Sequence, residues 1–387
     1  DTNSVTITGT RFENNTATLL NGGGFHTNRA GSLTFDQCFF IDNTAGGSGG
    51  AVRLGNAEIA VTECQFEGNS ADGFDGGAIS AVFSSNGFIA DSLFLYNTAG
   101  RHGGALLLRS SGIEINTSRF YANTAADFGG GIYAFGEIGS DDDEGGDEDE
   151  NDVYNSLFVG NIAANGAAMA ADSGPDPDLY NCTAVMNTCS FDTGQGAFVN
   201  IGGATAIRFN NCIVRNNVPI SHDTDPINPL SFRSNNFEGL AALIDDVPAG
   251  NIDADPLFVA MPDDGGDGFG DDPATPGVDE SANDFFGDLR LMPGSPSIDA
   301  GDATLLQEVD AIKFVGLDPL DLDGGARVRT AAGLGAGPAT GVSVFGQFVD
   351  HGAFEVAPGI DADLNGDEMF DVFDLIDFID LLESLQP

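Results

Sequence analysis

Five oxygen-bearing side chains recur at short intervals near the C-terminus, in the stretch IDADLNGDEMFDVFD. Counting Asp363 as position 1, Asp363, Asn365, Asp367, Asp371 and Asp374 stand at positions 1, 3, 5, 9 and 12, with the Met369 carbonyl at position 7. Alternate residues of such a loop turn their oxygens toward one point. A hard cation there offsets carboxylates that would otherwise repel, so this ligand set predicts calcium. Gly366 falls at position 4 and Glu368 at position 6, where a loop of this kind usually takes glycine. Leu375, Ile376, Phe378, Ile379, Leu381, Leu382 and Leu385 follow at helical spacing, so the loop is expected to lead into a helix.

Other chemistry is harder to assemble from the residues. The stretches SDDDEGGDEDEND (140–152) and DDGGDGFGDDPATPGVDE (263–280) are acidic without fixed ligand spacing. They read as solvated loops first and weak calcium sites second. Lys313 lies outside the repeats described below, and Arg53, Arg101, Arg109 and Arg119 share no repeat column. His26 and His102 lie near glycine turns of different repeats and read as surface residues, because no register is seen to give them an acidic partner. No phosphate loop, serine elbow or zinc spacing occurs. No catalytic residue is therefore assigned.

Composition bounds the partners. Sixty acidic residues against 13 basic ones leave a formal charge of −47, which repels nucleic acid and anionic membranes and suits cations or a salty medium. No run of 18 apolar residues offers a membrane-spanning helix. The chain opens on the strand-like DTNSVTITG without a signal peptide, and is read as a mature or trimmed form. Hydrophobic residues make up 41%, with 30 Phe, no Trp and 54 Gly, enough apolar material for one continuous core punctuated by tight turns.

The elements that would hold such a core repeat. Asparagines that close a Phe-x-x-Asn phrase fall at Asn15, Asn43, Asn69, Asn97, Asn123 and Asn161, and the column continues at Asn187 and Asn217. Successive members are 28, 26, 28, 26, 38, 26 and 30 residues apart, a period near 27 that marks a solenoid. The long step contains the 140–152 acidic insertion. Three strands of about five residues and three turns would fill each coil. Leu33-Thr34-Phe35, Ile59-Ala60-Val61 and Ile113-Glu114-Ile115 alternate as strands do, so the fold class is all-β, a parallel β-helix. If coils rise ~4.8 Å each, Phe12, Phe40, Phe66, Phe94, Phe120 and Phe158 stack, and the asparagine amides bond up and down the column from a turn conformation few residues tolerate. The doublets Gly22-Gly23, Gly49-Gly50, Gly76-Gly77, Gly103-Gly104 and Gly129-Gly130 then stand where a Cβ would strike the next coil. Two residues before each Phe, Thr10, Cys38, Cys64, Ser92, Ser118 and Ser156 form a small inward column, which Cys182 and Cys212 continue in the two later coils. Disulfides between stacked cysteines and free buried thiols both fit it, and the Ser and Thr members favour thiols. Cys189 has no partner in that register.

The GGA[ILV] and FxxN phrases resemble the repeats of the polymorphic outer membrane proteins, which implies a secreted right-handed, single-stranded β-helix over roughly 1–217. NNCIVRNN, GNIDADPLFV, GDLRLMPGSPSIDAGD, DLDGGARV and VDHGAFE resemble the closing coils of secreted planctomycete-like bacterial β-helix proteins, which gives no reaction. DLNGD resembles half of a dockerin, a calcium module that anchors secreted proteins to a partner. The expected organisation is a β-helix at 1–300, a closing segment packed on it at 301–356, and the calcium loop and helix at 357–387. The expected function is a non-enzymatic extracellular or cell-surface rod, structural or adhesive, able to stack end to end on itself or dock an anchoring protein. The alternative is a carbohydrate-binding or polysaccharide-degrading β-helix.

Overall fold

A computed structural model of the chain describes residues 4–28, 31–83, 85–136, 151–173, 177–190, 196–201, 207–218, 231–243, 247–270, 280–298 and 300–302, with 305, 329–330, 347–348 and 352. Its regular coils carry four strands each. In one coil these are Ser32–Asp36, Phe39–Ile41, Thr44–Ala45 and Val52–Gly55; in the next, Glu58–Thr62, Gln65–Glu67, Ser70–Ala71 and Ile79–Val82. The count of three read from sequence misses the two-residue strand after each ladder asparagine, which is too short to show alternation. Equivalent strands stack in coil order into parallel sheets of nine, nine, seven and seven strands, called here the first to fourth sheets. The result is a right-handed parallel β-solenoid.

Register decides what fills the interior. In the first sheet one inward column runs Phe35, Val61, Ile89, Ile115, Val153, Leu179, Phe209, Phe232. In the second sheet Phe12, Phe40, Phe66, Phe94, Phe120 and Phe158 stack with ring centroids 4.7–4.9 Å apart and planes within 7° of parallel. Full burial of such a ring contributes roughly 1.5–3 kcal/mol. Beyond Phe158 the column narrows to Ala184 and Val214. Phe198 and Phe209, 4.8 Å apart and edge to face, occupy the core beside them, so the interior stays filled.

Corners are set by backbone conformation. The residue just before each ladder asparagine, among them Asp42, Tyr96, Ala122 and Met186, has φ between 51° and 67°. The left-handed bend thus sits one residue earlier than the sequence reading placed it, leaving the asparagine N–H free to point along the axis. At the glycine corner, Gly76 has φ +71°, and a Cβ on Gly77 would lie 2.1 Å from the Gly104 carbonyl oxygen. Coils this close admit no side chain there.

Coil stacking ends near Ile252, which bridges Asn236. The chain then folds back along the outside of the second sheet. Phe258–Ala260 pairs antiparallel with Asp288–Leu291, and Phe258, Leu289, Leu291 and Ile298 pack on Leu157, Val159, Val185 and Ile213. Further along the rod, Phe286 stacks on Tyr121 at 4.5 Å and Tyr96 Oη donates to Asp284 at 2.8 Å. This strap belongs to the span 1–300 read as coils, and it begins the packing expected only from 301 onward. Its reason lies in the strands beneath it. Outward positions beneath it include Leu157, Val159, Val185 and Ile213, an apolar face that must be covered.

Candidate functional site

The calcium-loop residues Asp363, Asn365, Asp367, Met369, Asp371 and Asp374 lie outside the described residues, as do 140–150 and 271–279. At 263–270 the acidic side chains serve local turns: Asp263 and Asp264 accept the N–H groups of Gly265 and Gly266 at 3.0 and 2.9 Å. Among the described residues, no three His, Cys, Asp or Glu side chains are grouped to hold a metal ion.

The asparagine column Asn15, Asn43, Asn69, Asn97, Asn123, Asn161, Asn187, Asn217 forms one continuous chain of amides. Each Nδ2 donates to the next Oδ1 at 2.8–3.0 Å. Each such Oδ1 also accepts the preceding asparagine's backbone N–H, at 2.9–3.1 Å. From Asn43 on, the second Nδ2 proton goes to a carbonyl of the coil before, Phe12, Phe40, Phe66, Phe94, Phe120, Phe158 and then Ala184. Every buried polar atom of these amides is thereby used for support, which removes the column from chemistry. The Cys/Ser column works the same way: Cys38 N–H donates to Cys64 Sγ, and Ser92 N–H to Ser118 Oγ, at 3.3 Å each. All five cysteines are free and buried, and burial pushes the Cys64 thiol up to about 12.

Unsatisfied polar atoms collect elsewhere, on the outer side of the fourth sheet. Its outward column runs His26, Arg53, Ser80, Leu107, Tyr133, Ala170, Val199. The turn before each strand folds over this floor: a Cβ on Gly76 would lie 3.0 Å from Ser80 Cα, and one on Gly129 2.9 Å from Tyr133 Cβ. Asp75 and His102 each precede the first glycine of that turn, so they occupy successive rungs beside the floor. The register thus gives His102 an acidic neighbour that the sequence reading missed, although no hydrogen bond joins the two. Aligning the chain on its glycine doublets instead of its asparagines places Asp75 one coil before it. His26, by contrast, is exposed and meets Asn28 Oδ1 at 3.1 Å.

The state of His102 follows from its neighbours. Nε2 lies 3.2 Å from Arg101 Nη2, and a guanidinium can only donate, so Nε2 accepts and the proton resides on Nδ1. Burial, reinforced by Arg101 and opposed by Asp75, lowers the imidazole pKa and keeps the ring neutral. Its ring lies 4.8 Å from that of Tyr133, whose hydroxyl donates to Asp172 at 3.1 Å. Burial first, then Asp172, raises the Tyr133 pKa, so this hydroxyl stays protonated. His102 Nδ1, Asp75 Oδ1, Ser80 Oγ and Arg53 Nε are all buried without a hydrogen-bond partner. No bond joins Ser80 to His102, so the hydroxyl lacks the base that a nucleophile needs.

Two phenylalanines flank the strand that carries Ser80. Phe74, in the turn, is 47% exposed, and Phe83, directly after the strand, is 52% exposed. Phe83 also has φ +58° at a corner where neighbouring coils use Asn56 and Ser110. A bulky side chain in that conformation costs roughly 1–2 kcal/mol. Arg109 lies 5.6 Å from its ring and 5.1 Å from that of Phe135.

Comparison with known proteins agrees with the coil geometry. The family described as a right-handed β-helix region matches residues 1–139. The probable autotransporter YfaL of Escherichia coli (strain K12) is 30% identical over 148 residues, covering 32% of this chain and 12% of that protein. This chain therefore matches only a small part of that relative's length. No solved structure matches it. Among the described residues no helix is long and apolar enough to cross a membrane, which leaves β-barrel spans unaddressed. Sheet order, register and family match converge on one identification: the described coils are a right-handed parallel β-helix, similar over part of their length to an autotransporter.

Proposed function

We propose that the chain is a secreted or cell-surface β-helix whose first task is mechanical: a stiff rod that holds binding surfaces away from their anchor. The observation that carries this reading is the asparagine column, in which eight consecutive rungs are bonded through their amides, seven of them buried. Side chains committed so fully to support suit a spacer, and the partial likeness to a probable autotransporter supports display outside the cell. A charge of −47 suits an extracellular surface that meets cations.

Two further parts of the proposal rest on sequence. Calcium would bind at Asp363, Asn365, Asp367, Met369, Asp371 and Asp374, and rods would associate end to end or dock an anchoring protein through the C-terminal segment. Surface protease treatment of producing cells, with immunodetection of the rod, tests display; protection of the whole protein inside intact cells refutes it. Sedimentation of the full chain with calcium and with chelator tests the other two parts. Identical size and no calcium uptake by equilibrium dialysis refute them.

A further inference from the structure

Beyond the spacer role, one surface of the rod is suited to receive a partner. We infer that the solvent face of the strap, carrying Val259, Met261, Phe285 and Met292, docks a polypeptide segment that is both apolar and strongly basic. The inference stands wherever the rod resides.

These four side chains are accessible and share one face. Val259 and Phe285 are each 49% exposed, Met261 is 40% exposed and Met292 39%. Their sequence neighbours point the other way: Phe258 and Leu291 are buried against the second sheet, and Phe286 stacks on Tyr121. Cross-strand pairing sets the four along one short ladder. Phe258 pairs with Leu291, Asp263 bridges Phe285, and Met292 N–H donates to the Leu257 carbonyl at 2.8 Å.

Covering the second sheet does not account for them. An antiparallel ribbon with one packed face and one solvated face needs apolar residues on the packed side alone. A charged side chain serves the outward side well, as Arg290 shows with 59% of its side chain in solvent. Yet four of the 13 exposed large apolar side chains among the described residues sit on this one segment. Exposed apolar groups gathered in this way mark interaction surfaces, and methionine adapts its shape to what it meets.

Charge identifies the partner. Between Asn251 and Ile298 the chain carries 11 acidic residues and one basic residue, Arg290, whose guanidinium donates to Asp288 at 2.8 Å. Exposed Asp255 stands before one end of the ladder, and exposed Asp263 and Asp267 stand at the other. An apolar centre between acidic ends attracts cationic groups that flank apolar ones, and it repels anionic membranes and polyanions. A second copy of this chain brings the same charge of −47 and is repelled as well.

The test is fluorescence anisotropy of a labelled peptide of alternating Lys and Leu, titrated with the whole chain at physiological salt, where charges more than about 8 Å apart are largely screened. A Lys–Ser peptide of equal charge and a Glu–Leu peptide are the comparison probes. The Lys–Leu peptide should bind about tenfold or more tighter than the Lys–Ser peptide, because only it buries apolar surface, and the Glu–Leu peptide should not bind. Val259→Thr combined with Met261→Thr should abolish that preference, and so should Phe285→Ser; these side chains face solvent, so folding is retained. Phe88→Thr, at an exposed position of the first sheet, should bind like the wild type. A footprint on the unaltered chain reads the contact directly: bound Lys–Leu peptide should slow peroxide oxidation of Met261 and Met292 and leave half-buried Met186 unchanged. Equal binding of the two Lys peptides, or binding of the Glu–Leu peptide, overturns the inference. So does wild-type preference in the strap variants when their melting curves match the parent, absence of methionine protection, or a peptide-free dimer that the Val259→Thr and Met261→Thr pair dissociates.

Discussion

Replacing Asn97 by alanine tests the solenoid's internal support at its middle. The side chain makes four hydrogen bonds: Oδ1 accepts Asn69 N–H at 3.1 Å and Asn69 Nδ2 at 2.9 Å, while Nδ2 donates to Asn123 Oδ1 and to Phe66 O at 2.9 Å each. Alanine leaves Asn69 N–H with no acceptor, at about 1–3 kcal/mol for a buried donor. Asn69 Nδ2 keeps Phe40 O and Asn123 Oδ1 keeps the residue 97 N–H, so these lose a partial share, about 0.5–1.5 kcal/mol per bond. Asn97→Ala should therefore cost about 3–5 kcal/mol. Asn15→Ala removes a single side-chain bond at an exposed rung and should cost under about 1 kcal/mol. Urea unfolding followed by tyrosine fluorescence suits the measurement, because all five tyrosines lie in the coils. Equal losses for the two variants, or a loss below about 1.5 kcal/mol at Asn97 with an unchanged m-value, would refute the reasoning.

Phe94→Ala should cost about 3–5 kcal/mol in the same assay, since it breaks a stack with neighbours 4.9 Å away on both sides. Gly77→Ala should prevent soluble folding, because its Cβ meets the Gly104 carbonyl at 2.1 Å; Gly73→Ala, with φ +95° and open space around it, should lose only about 1 kcal/mol. Burial raises both Cys64 and Tyr121 to about 12, from 9.0 and 10.0. The folded state thus holds these protons longer than the unfolded one, and the stabilisation, complete below pH 9, is lost as pH climbs toward 12. Melting temperature should fall from just above pH 9, and a flat profile to pH 11 would contradict this. Phe286→Ser should release the strap from Tyr121 and make 257–298 the first site of limited proteolysis; unchanged cleavage would show that this stack does not fasten it.

What sequence reading recovered depended on repetition. Phe40, Phe66 and Phe94 share one chemistry, as do Asn43, Asn69 and Asn97, and like residues on successive rungs must stack if coils stay in register. The Thr44–Ala45 strand escaped because two residues carry no period. The strap escaped because it packs once, through Phe258, Phe286 and Leu291, with no copy elsewhere in the chain. Its trace lies in the outward apolar positions that it covers, Leu157, Val159, Val185 and Ile213. The outer patch of the fourth sheet was obscured for the opposite reason. Its column reads Ser48, Asp75, His102, Phe128, a different residue at every rung, and a search for sameness passes over it.

The bond from Asn123 Nδ2 to Asn161 Oδ1 is 3.0 Å long although 38 residues separate the two, the same length as between Asn43 and Asn69 across 26. Vertical cohesion is therefore indifferent to how much chain is spent between one rung and the next. Foreign peptides spliced between Gly136 and Asn151 should ride outside the shaft without disturbing it, which makes that junction a natural display port for engineering.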